Sequence, residues 1–182
     1  MKILCGSKFY EEKNYIISFI LNEFLGIDAQ IHFSETLSSE YEIQYDKKSL
    51  KISDVFFNQN KNGWLSTSWL PQLPLSEFKF SEYGLQKCSL HSKIPIFYPS
   101  MDSDRIVINN GNTTHLNLDI FGTAFFFLTR YEEFVSKESD MHGRFPYKSS
   151  ILSQNSLISR PVVNEYIEIL WSLLKKIWPH LK

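Results

Sequence analysis

Cysteine is scarce: Cys5 and Cys88 are the only two among 182 residues. Two thiols cannot build a disulfide framework or a four-cysteine zinc site, and their scarcity points to a reducing, cytoplasmic compartment. An excess of charge of one sign is also lacking. Nineteen Lys plus Arg stand against twenty Asp plus Glu, a formal net charge of -1. No basic field exists to attract a phosphate backbone, so nucleic acid is not an expected partner. A long uncharged opening run is missing as well. Glu11, Glu12 and Lys13 precede the apolar stretch that starts at Tyr15, whereas a secretory signal needs its apolar run directly after a basic start. Lys2 sits where a lipoprotein signal ahead of Cys5 requires an apolar residue. Secretion, lipidation and membrane insertion are therefore not expected. No glycine-rich loop opens a helix to hold a phosphate, and no cofactor is expected.

What the chain does have is aromatic mass. Fifteen Phe, nine Tyr and four Trp, within a 43% hydrophobic and 21% charged composition, supply the large buried areas from which a core can be made. The length suits one domain. Residues 2–5 form a short strand pattern, and Ile16, Ile17, Phe19, Ile20, Leu21 and Phe24 recur at helical spacing before Gly26, a candidate left-handed cap. Residues 27–33 then read as a strand. Tyr41, Ile43 and Tyr45 alternate with Glu42, Gln44 and Asp46, and Leu50 and Ile52 follow a turn, which predicts a β-hairpin. Residues 58–82 read as irregular, with Trp64 and Trp69 as apolar anchors. Short strands are expected at 94–98, 105–108 and 115–118, with a turn around Gly111.

The second half is more helical. Ile120, Ala124, Phe127, Leu128, Tyr131, Phe134 and Val135, widened by Phe121 and Phe125, predict a buried central helix near 119–135. A C-terminal helix is predicted near 161–178, opened by Pro161 and closed by Lys175, Lys176 and Pro179. Strands followed by two strong helices predict an α+β (or α/β) fold: one domain, a small mixed sheet covered by helices.

Three separated groups of residues occur in order: Asp119, Ile120, Phe121 and Gly122 running to Arg130, Tyr131, Glu132 and Glu133; Asp140, Met141, His142, Gly143 and Arg144 running to Pro146; and Arg160, Pro161, Val162 and Val163 running to Tyr166. Together they resemble a domain family of unknown function that precedes a polysaccharide-deacetylase-like catalytic domain in bacterial proteins, in settings of surface-polysaccharide metabolism. The likeness is specific over residues 119–170 and general over residues 1–118. It implies an accessory domain, the N-terminal part of a longer protein, whose partner is a deacetylase-like catalytic domain in cis or in trans. Deacetylases of that kind aim closely spaced aspartates and a His-x-x-x-His pair at a metal. This chain has no Asp-Asp pair, and its histidines at 32, 91, 115, 142 and 180 are never four apart. The implied role is non-catalytic.

A charged edge runs from Arg130 through Glu132 and Glu133 to Asp140, His142 and Arg144, with Arg160 in the third group. It is the candidate cluster, structural or ligand-binding. Helical spacing sets Arg130 near Glu133, and charges leaving a buried helix need partners, which favours an ion-pair network tying the helix to the next loop. Asp140, Gly143 and Arg144 fit an Asp-initiated turn, with Arg144 expected to pair with a helix carboxylate. Asp140 and His142 are too few ligands for a metal. Two rival readings remain. One is an enzyme acting on a glycan or nucleotide sugar through Arg130, Glu132, Glu133, Asp140 and His142; the other is a glycan-binding module with exposed Trp64 or Trp69. A glycan is thus a further possible partner. Asp102 and Asp104 have the spacing of a metal-bound nucleotide-diphosphate motif, but a solvated turn explains them better. Cys5 and Cys88 read as packing residues.

Overall fold

The computed structural model describes residues 1–37, 39–79, 91–100 and 105–181. The fold is α+β, a single domain around one six-stranded mixed sheet, with strand order β2-β1-β3-β4-β8-β7. Strand β1 (Lys2–Gly6) leads through helix α1 (Tyr10–Ser18) to β2 (Gln30–Ser34), which pairs with it in parallel. Strands β3 (Glu40–Tyr45) and β4 (Lys48–Ser53) form the expected hairpin, in register from Glu40 opposite Ser53 to Tyr45 opposite Lys48. Its two turn residues, Asp46 and Lys47, both have positive φ, 45° and 61°, the backbone twist that two-residue hairpins favour. Strand β5 (Ser76–Lys79) and β6 (Lys93–Ile96) make a separate antiparallel pair. Ser76–Lys79 thus adds a strand inside a stretch that reads as irregular from its Ser, Pro and Asn content; pairing with β6 outweighs the weak local pattern. Strands β7 (Val107–Asn110) and β8 (Thr113–Leu116) form a second hairpin, with Gly111 at φ 70° in its turn.

Alternation along the strands gives the sheet two unlike faces. Ile3, Cys5, Tyr41, Ile43, Leu50, Ile52 and Leu116 point to one face and are fully or almost fully buried. Helices α1, α2 (Ile120–Leu128) and α5 (Val162–Ile177) carry the apolar faces of that core. The opposite face carries Lys2, Leu4, Glu40, Glu42, Gln44, Ser49, Lys51, Ser53, Thr113 and His115, half-buried or exposed. Fully parallel sheets are covered on both sides; here the antiparallel pairs β1/β3 and β3/β4 at the centre tolerate one solvated face.

Two helices differ from the periodicity-based expectation. The first, α1, continues as a π-helix over Phe19–Phe24, where the Leu25 N–H donates to the Ile20 carbonyl at 3.0 Å, before Gly26 at φ 65°. The central helix expected at 119–135 is divided into α2 and α3 (Tyr131–Val135). Arg130, at φ 56°, takes the left-handed conformation between them, and the Thr129 hydroxyl donates back to the Phe125 carbonyl at 2.7 Å. The break falls where the apolar run meets the charges Arg130, Glu132 and Glu133, which leave the core as the chain turns. Asp119 caps α2, its Oδ1 accepting the Gly122 N–H at 2.7 Å. Gly122 is required by close approach: a Cβ there would lie 2.3 Å from the Cβ of Phe56. Short α4 (Ile151–Gln154) precedes α5, whose bounds match the expected C-terminal helix within a residue or two.

Candidate functional site

The charged edge resolves into separate clamps. The Arg130 Nε donates to Glu133 Oε1 at 2.7 Å, and a second guanidinium nitrogen meets Oε2. Glu132 reaches instead across to α4, its Oε1 accepting the Ser150 hydroxyl and its Oε2 the Ile151 N–H, both at 2.9 Å. It caps that helix in place of a side chain of its own. Asp140 closes its own loop. Its Oδ1 accepts the N–H groups of His142 (2.8 Å) and Arg144 (3.0 Å), and its Oδ2 takes two guanidinium donors of Arg144 at 3.0 and 2.8 Å. Arg144 therefore pairs within the loop, not with a helix carboxylate, because Gly143 at φ 73° folds the segment back on itself. The backbone and side-chain donors of Arg144 hold the Asp140 carboxyl below its ordinary value. His142 contributes its backbone N–H to this brace, and its side chain is exposed.

Arg160 belongs elsewhere. It forms a two-oxygen pair with Glu165 at 2.8 Å and donates to the Lys93 carbonyl at 3.0 Å, fastening the start of α5 to β6. Both side chains are largely removed from solvent, with exposures of 11% and 3%.

A groove of about 480 Å³ opens beside these clamps, between a wall from Thr67 to Leu73 and another from Glu132 to Gln154. Of the seven residues in the sequence-derived cluster, Glu132 is the one that lines it. Around the same segment several large apolar side chains face solvent: Phe134 is 70% exposed, Tyr147 63% and Met141 92%. Leu73 and Leu128 add to them.

The two indoles meet different fates. Trp69 is 1% exposed, and Trp64 is half-buried with its ring 5.1 Å from that of Trp69 and 4.7 Å from Phe9. Phe56 sits among them, 5.2 Å from both Trp69 and Tyr98. These are core rings, so the tryptophans pin the loop. Cys5 is also buried, and burial pushes its thiol up to about 12. Cys88, Asp102 and Asp104 lie outside the described residues. Among the described residues no three His, Cys, Asp or Glu side chains are grouped to hold a metal ion, and no helix is long and apolar enough to cross a membrane.

One polar centre has no counterpart in the sequence reading. Lys13 and Asp54 pair inside the core, Nζ to Oδ2 at 2.6 Å, with both side chains 1% exposed. The ammonium also donates to the Gly6 carbonyl at 3.3 Å and lies 5.5 Å from the Tyr41 ring and 5.8 Å from that of Phe57. Asp119 lies close enough to feel the charge of Asp54, and its Oδ2 accepts the N–H groups of Val55 (2.9 Å) and Phe56 (2.7 Å). Burial raises the Asp54 carboxyl above its usual value, with Lys13 opposing the rise. Burial, with Asp54 second, pushes Asp119 up to about 7 against the pull of its three N–H donors. The available signal was positional: Lys13 stands three and four residues before Ile16 and Ile17, on the apolar stripe of its own helix.

Fold and site together describe a single α+β domain whose charged groups mostly brace backbone and whose uncommitted surface is a loop face and a sheet face. The chain belongs to the family of unknown function DUF7033, whose model matches residues 1–179. No curated protein and no solved structure matches it.

Proposed function

We propose that the chain is a non-catalytic accessory module of a polysaccharide-deacetylase-like protein, acting in bacterial surface-polysaccharide metabolism and docking a catalytic domain in cis or in trans. One observation carries the docking role. Between residues 130 and 147 the carboxylates are bound to neighbouring donors, while Phe134, Met141 and Tyr147 stand in solvent. Internal clamps of this kind hold a loop face in shape before a partner arrives, which lowers the ordering cost of association. Exposed aromatic and Met side chains are those enriched where proteins meet. The deacetylase-like identity of the partner rests on the three groups of residues from Asp119 to Tyr166, and two of those groups build this face. Two cysteines in the whole chain, one of them buried, fit a cytoplasmic setting.

The test begins with the coding sequence that follows or neighbours this chain. It is expected to encode an aspartate and His-x-x-x-His metal site, and its absence from both places sinks the proposal. That catalytic domain is then titrated with the chain and with its Phe134→Ser/Met141→Ser variant. Loss of binding by about tenfold or more, equivalent to 1.4 kcal/mol, is the expected outcome. Unchanged binding places the contact elsewhere and removes the docking face.

A further inference from the structure

The sheet ends on β2, and that edge is open. The Gln30 N–H donates to the Met1 carbonyl at 2.9 Å and the Ser34 carbonyl accepts the Ser7 N–H at 3.1 Å, so the even-numbered residues of β2 turn their backbone groups toward β1. Alternation along the strand turns the N–H and C=O groups of Ile31 and Phe33 the other way, where no further strand pairs among the described residues. Natural sheets guard such an edge with lysine, proline or a bulge. Residues Gln30–Ser34 contain neither lysine nor proline and pair with β1 without interruption. An apolar shelf flanks the edge on the core side: Ile31 and Phe33 are half-buried, and Tyr10, 54% exposed, sets its ring 4.4 Å from that of Phe33.

We infer that the β2 edge takes up an extended, basic segment of a partner protein as a seventh strand. Strand addition of this kind draws affinity from main-chain hydrogen bonds and specificity from alternate side chains. Ile31 and Phe33 offer two donors and two acceptors, which match two residues of an antiparallel strand placed directly opposite them. The side chains of those two residues fall beside Ile31, Phe33 and Tyr10 and need to be apolar, while the one between them falls on the polar side with His32. Charge selects the occupant. No Lys or Arg occurs between Lys13 and Lys47, whereas Glu23, Asp28 and Glu35 fall in the stretch that leads into and out of β2. Glu11 adjoins Tyr10 and, like Glu35, is exposed. The cations close in sequence are engaged or set back: Lys13 on Asp54 in the core, Lys8 on the Gln59 carbonyl, the Met1 amino group on the Asp28 carbonyl at 3.0 Å, and Lys2 one strand in, opposite Gln30. The excess of acid is thus greatest at the Phe33 end. Two copies of the chain pairing edge to edge about His32 would set the Glu35 of each near the Asp28 of the other, and like charges across a strand pair destabilise it. A strand with Lys or Arg beyond its apolar positions meets the same carboxylates with attraction. The β2 edge shares no residue with the loop face, and strand addition there does not depend on the docking reading.

The test is amide NMR of the intact chain titrated with the end-capped peptide Lys-Thr-Val-Thr-Val-Thr-Lys, with its counterpart Glu-Thr-Val-Thr-Val-Thr-Glu, and with the basic peptide N-methylated on both Val residues. The basic peptide is expected to shift the Ile31 and Phe33 amides saturably, with a Kd of about 1 mM or tighter. The acidic and the N-methylated peptides are each expected to bind about tenfold more weakly or worse. Ile31→Pro removes one outward N–H and leaves the ladder to β1 in place; it is expected to weaken the basic peptide about tenfold. Glu11→Lys/Glu35→Lys, at exposed positions, serves should Ile31→Pro fail to fold, and is expected to reverse the preference between the basic and acidic peptides. Strand addition is overturned by no saturable shift at β2 with the basic peptide, by equal affinity for the acidic or the N-methylated peptide, by variants that bind as the parent does, or by concentration-dependent pairing of β2 between two copies of the chain.

Discussion

Removing Lys13 interrogates the core most directly. In Lys13→Met the aliphatic stem is kept and the charge is lost, so Asp54 is left buried with neutral partners, the Phe57 N–H at 3.2 Å and the Tyr41 hydroxyl. Breaking a buried pair by deleting one partner costs about 3–5 kcal/mol, against a total of about 5–15 kcal/mol for a domain. Lys13→Met therefore brings the fold close to its limit. Asp54→Leu alone strands the ammonium with the Gly6 carbonyl and two ring faces, and a loss of similar size is expected. The double variant removes both charges and takes a partner from the Phe57 N–H, the Tyr41 hydroxyl and the Gly6 carbonyl, so it is expected to lie closer to the parent than either single variant. Urea unfolding followed by far-UV circular dichroism and tryptophan fluorescence measures all four corners of the cycle. Deprived of its cation, Asp54 takes up a proton in the folded state more readily than in the unfolded one. The deficit of Lys13→Met is then smallest below the unfolded carboxylate value near pH ~4 and grows by up to about 1.4 kcal/mol per pH unit above it, until the folded group ionises. Single variants each within about 1 kcal/mol of the parent, or a double variant equal to the sum of the singles, would refute a coupled buried pair.

Asp119 yields a second pH signature. Its folded value, pushed up to about 7, lies above an unfolded value near ~3.9, so the stability it contributes is present at low pH and lost as pH rises toward 7. Asp119→Asn is expected to flatten that slope while lowering stability by about 1–3 kcal/mol at pH ~4, because one of two accepting oxygens becomes an NH2 and leaves buried N–H donors of Gly122, or of Val55 and Phe56, without an acceptor; urea midpoints across the window decide, and an unchanged slope contradicts the assignment. Arg130→Gly sets relief of a left-handed backbone, worth about 1 kcal/mol, against an exposed ion pair that solvent screens. Thermal unfolding is expected to put the variant within about 1 kcal/mol of the parent, and a loss above about 2 kcal/mol would mean that Arg130 holds more than Glu133.

Sequence pattern disclosed what depends on near neighbours. The β3–β4 hairpin follows from strict alternation between Tyr41 and Asp46, and α5 follows from its apolar stripe and Pro161. The charged edge was legible as a cluster that needed partners, down to Arg130 beside Glu133. Partners fixed by tertiary approach were not legible. Glu132 reaches Ser150 and Ile151 only because Arg130 redirects the chain, and nothing in the spacing distinguishes Arg130 as the left-handed residue. Lys13 meets Asp54 only after the β3–β4 hairpin pairs with β1 through β3, which brings the end of β4 near the end of β1 and the start of α1. The open sheet face was hidden for the same reason: Glu42, Lys51 and His115 become one row only once strand order and register are set.

The order of the sheet also explains where interaction chemistry has been left. Strands β1, β2, β4 and β8 point the same way, and in open α/β sheets the crevice beyond such carboxyl ends is where ligands usually bind. Here those ends run into Phe9, Phe56, Phe57 and Asp119. Phe9, Phe56 and Phe57 pack on Trp64, Trp69 and Phe125, with centroid separations such as 5.4 Å from Phe9 to Trp69 and 5.1 Å from Phe57 to Phe125. The carboxyl groups at that edge are spent on backbone N–H groups and on Lys13. A crevice filled with rings and closed by carboxylates bound to backbone N–H groups and Lys13 serves stability, and the proposed docking would then rest on a surface that the core does not consume, the apolar side chains Phe134, Met141 and Tyr147 beside the Arg130 and Arg144 clamps. A partner there would gain from apolar burial, which is non-directional, so its binding is expected to be less sensitive to conservative polar changes around the clamps than to loss of Phe134 or Met141.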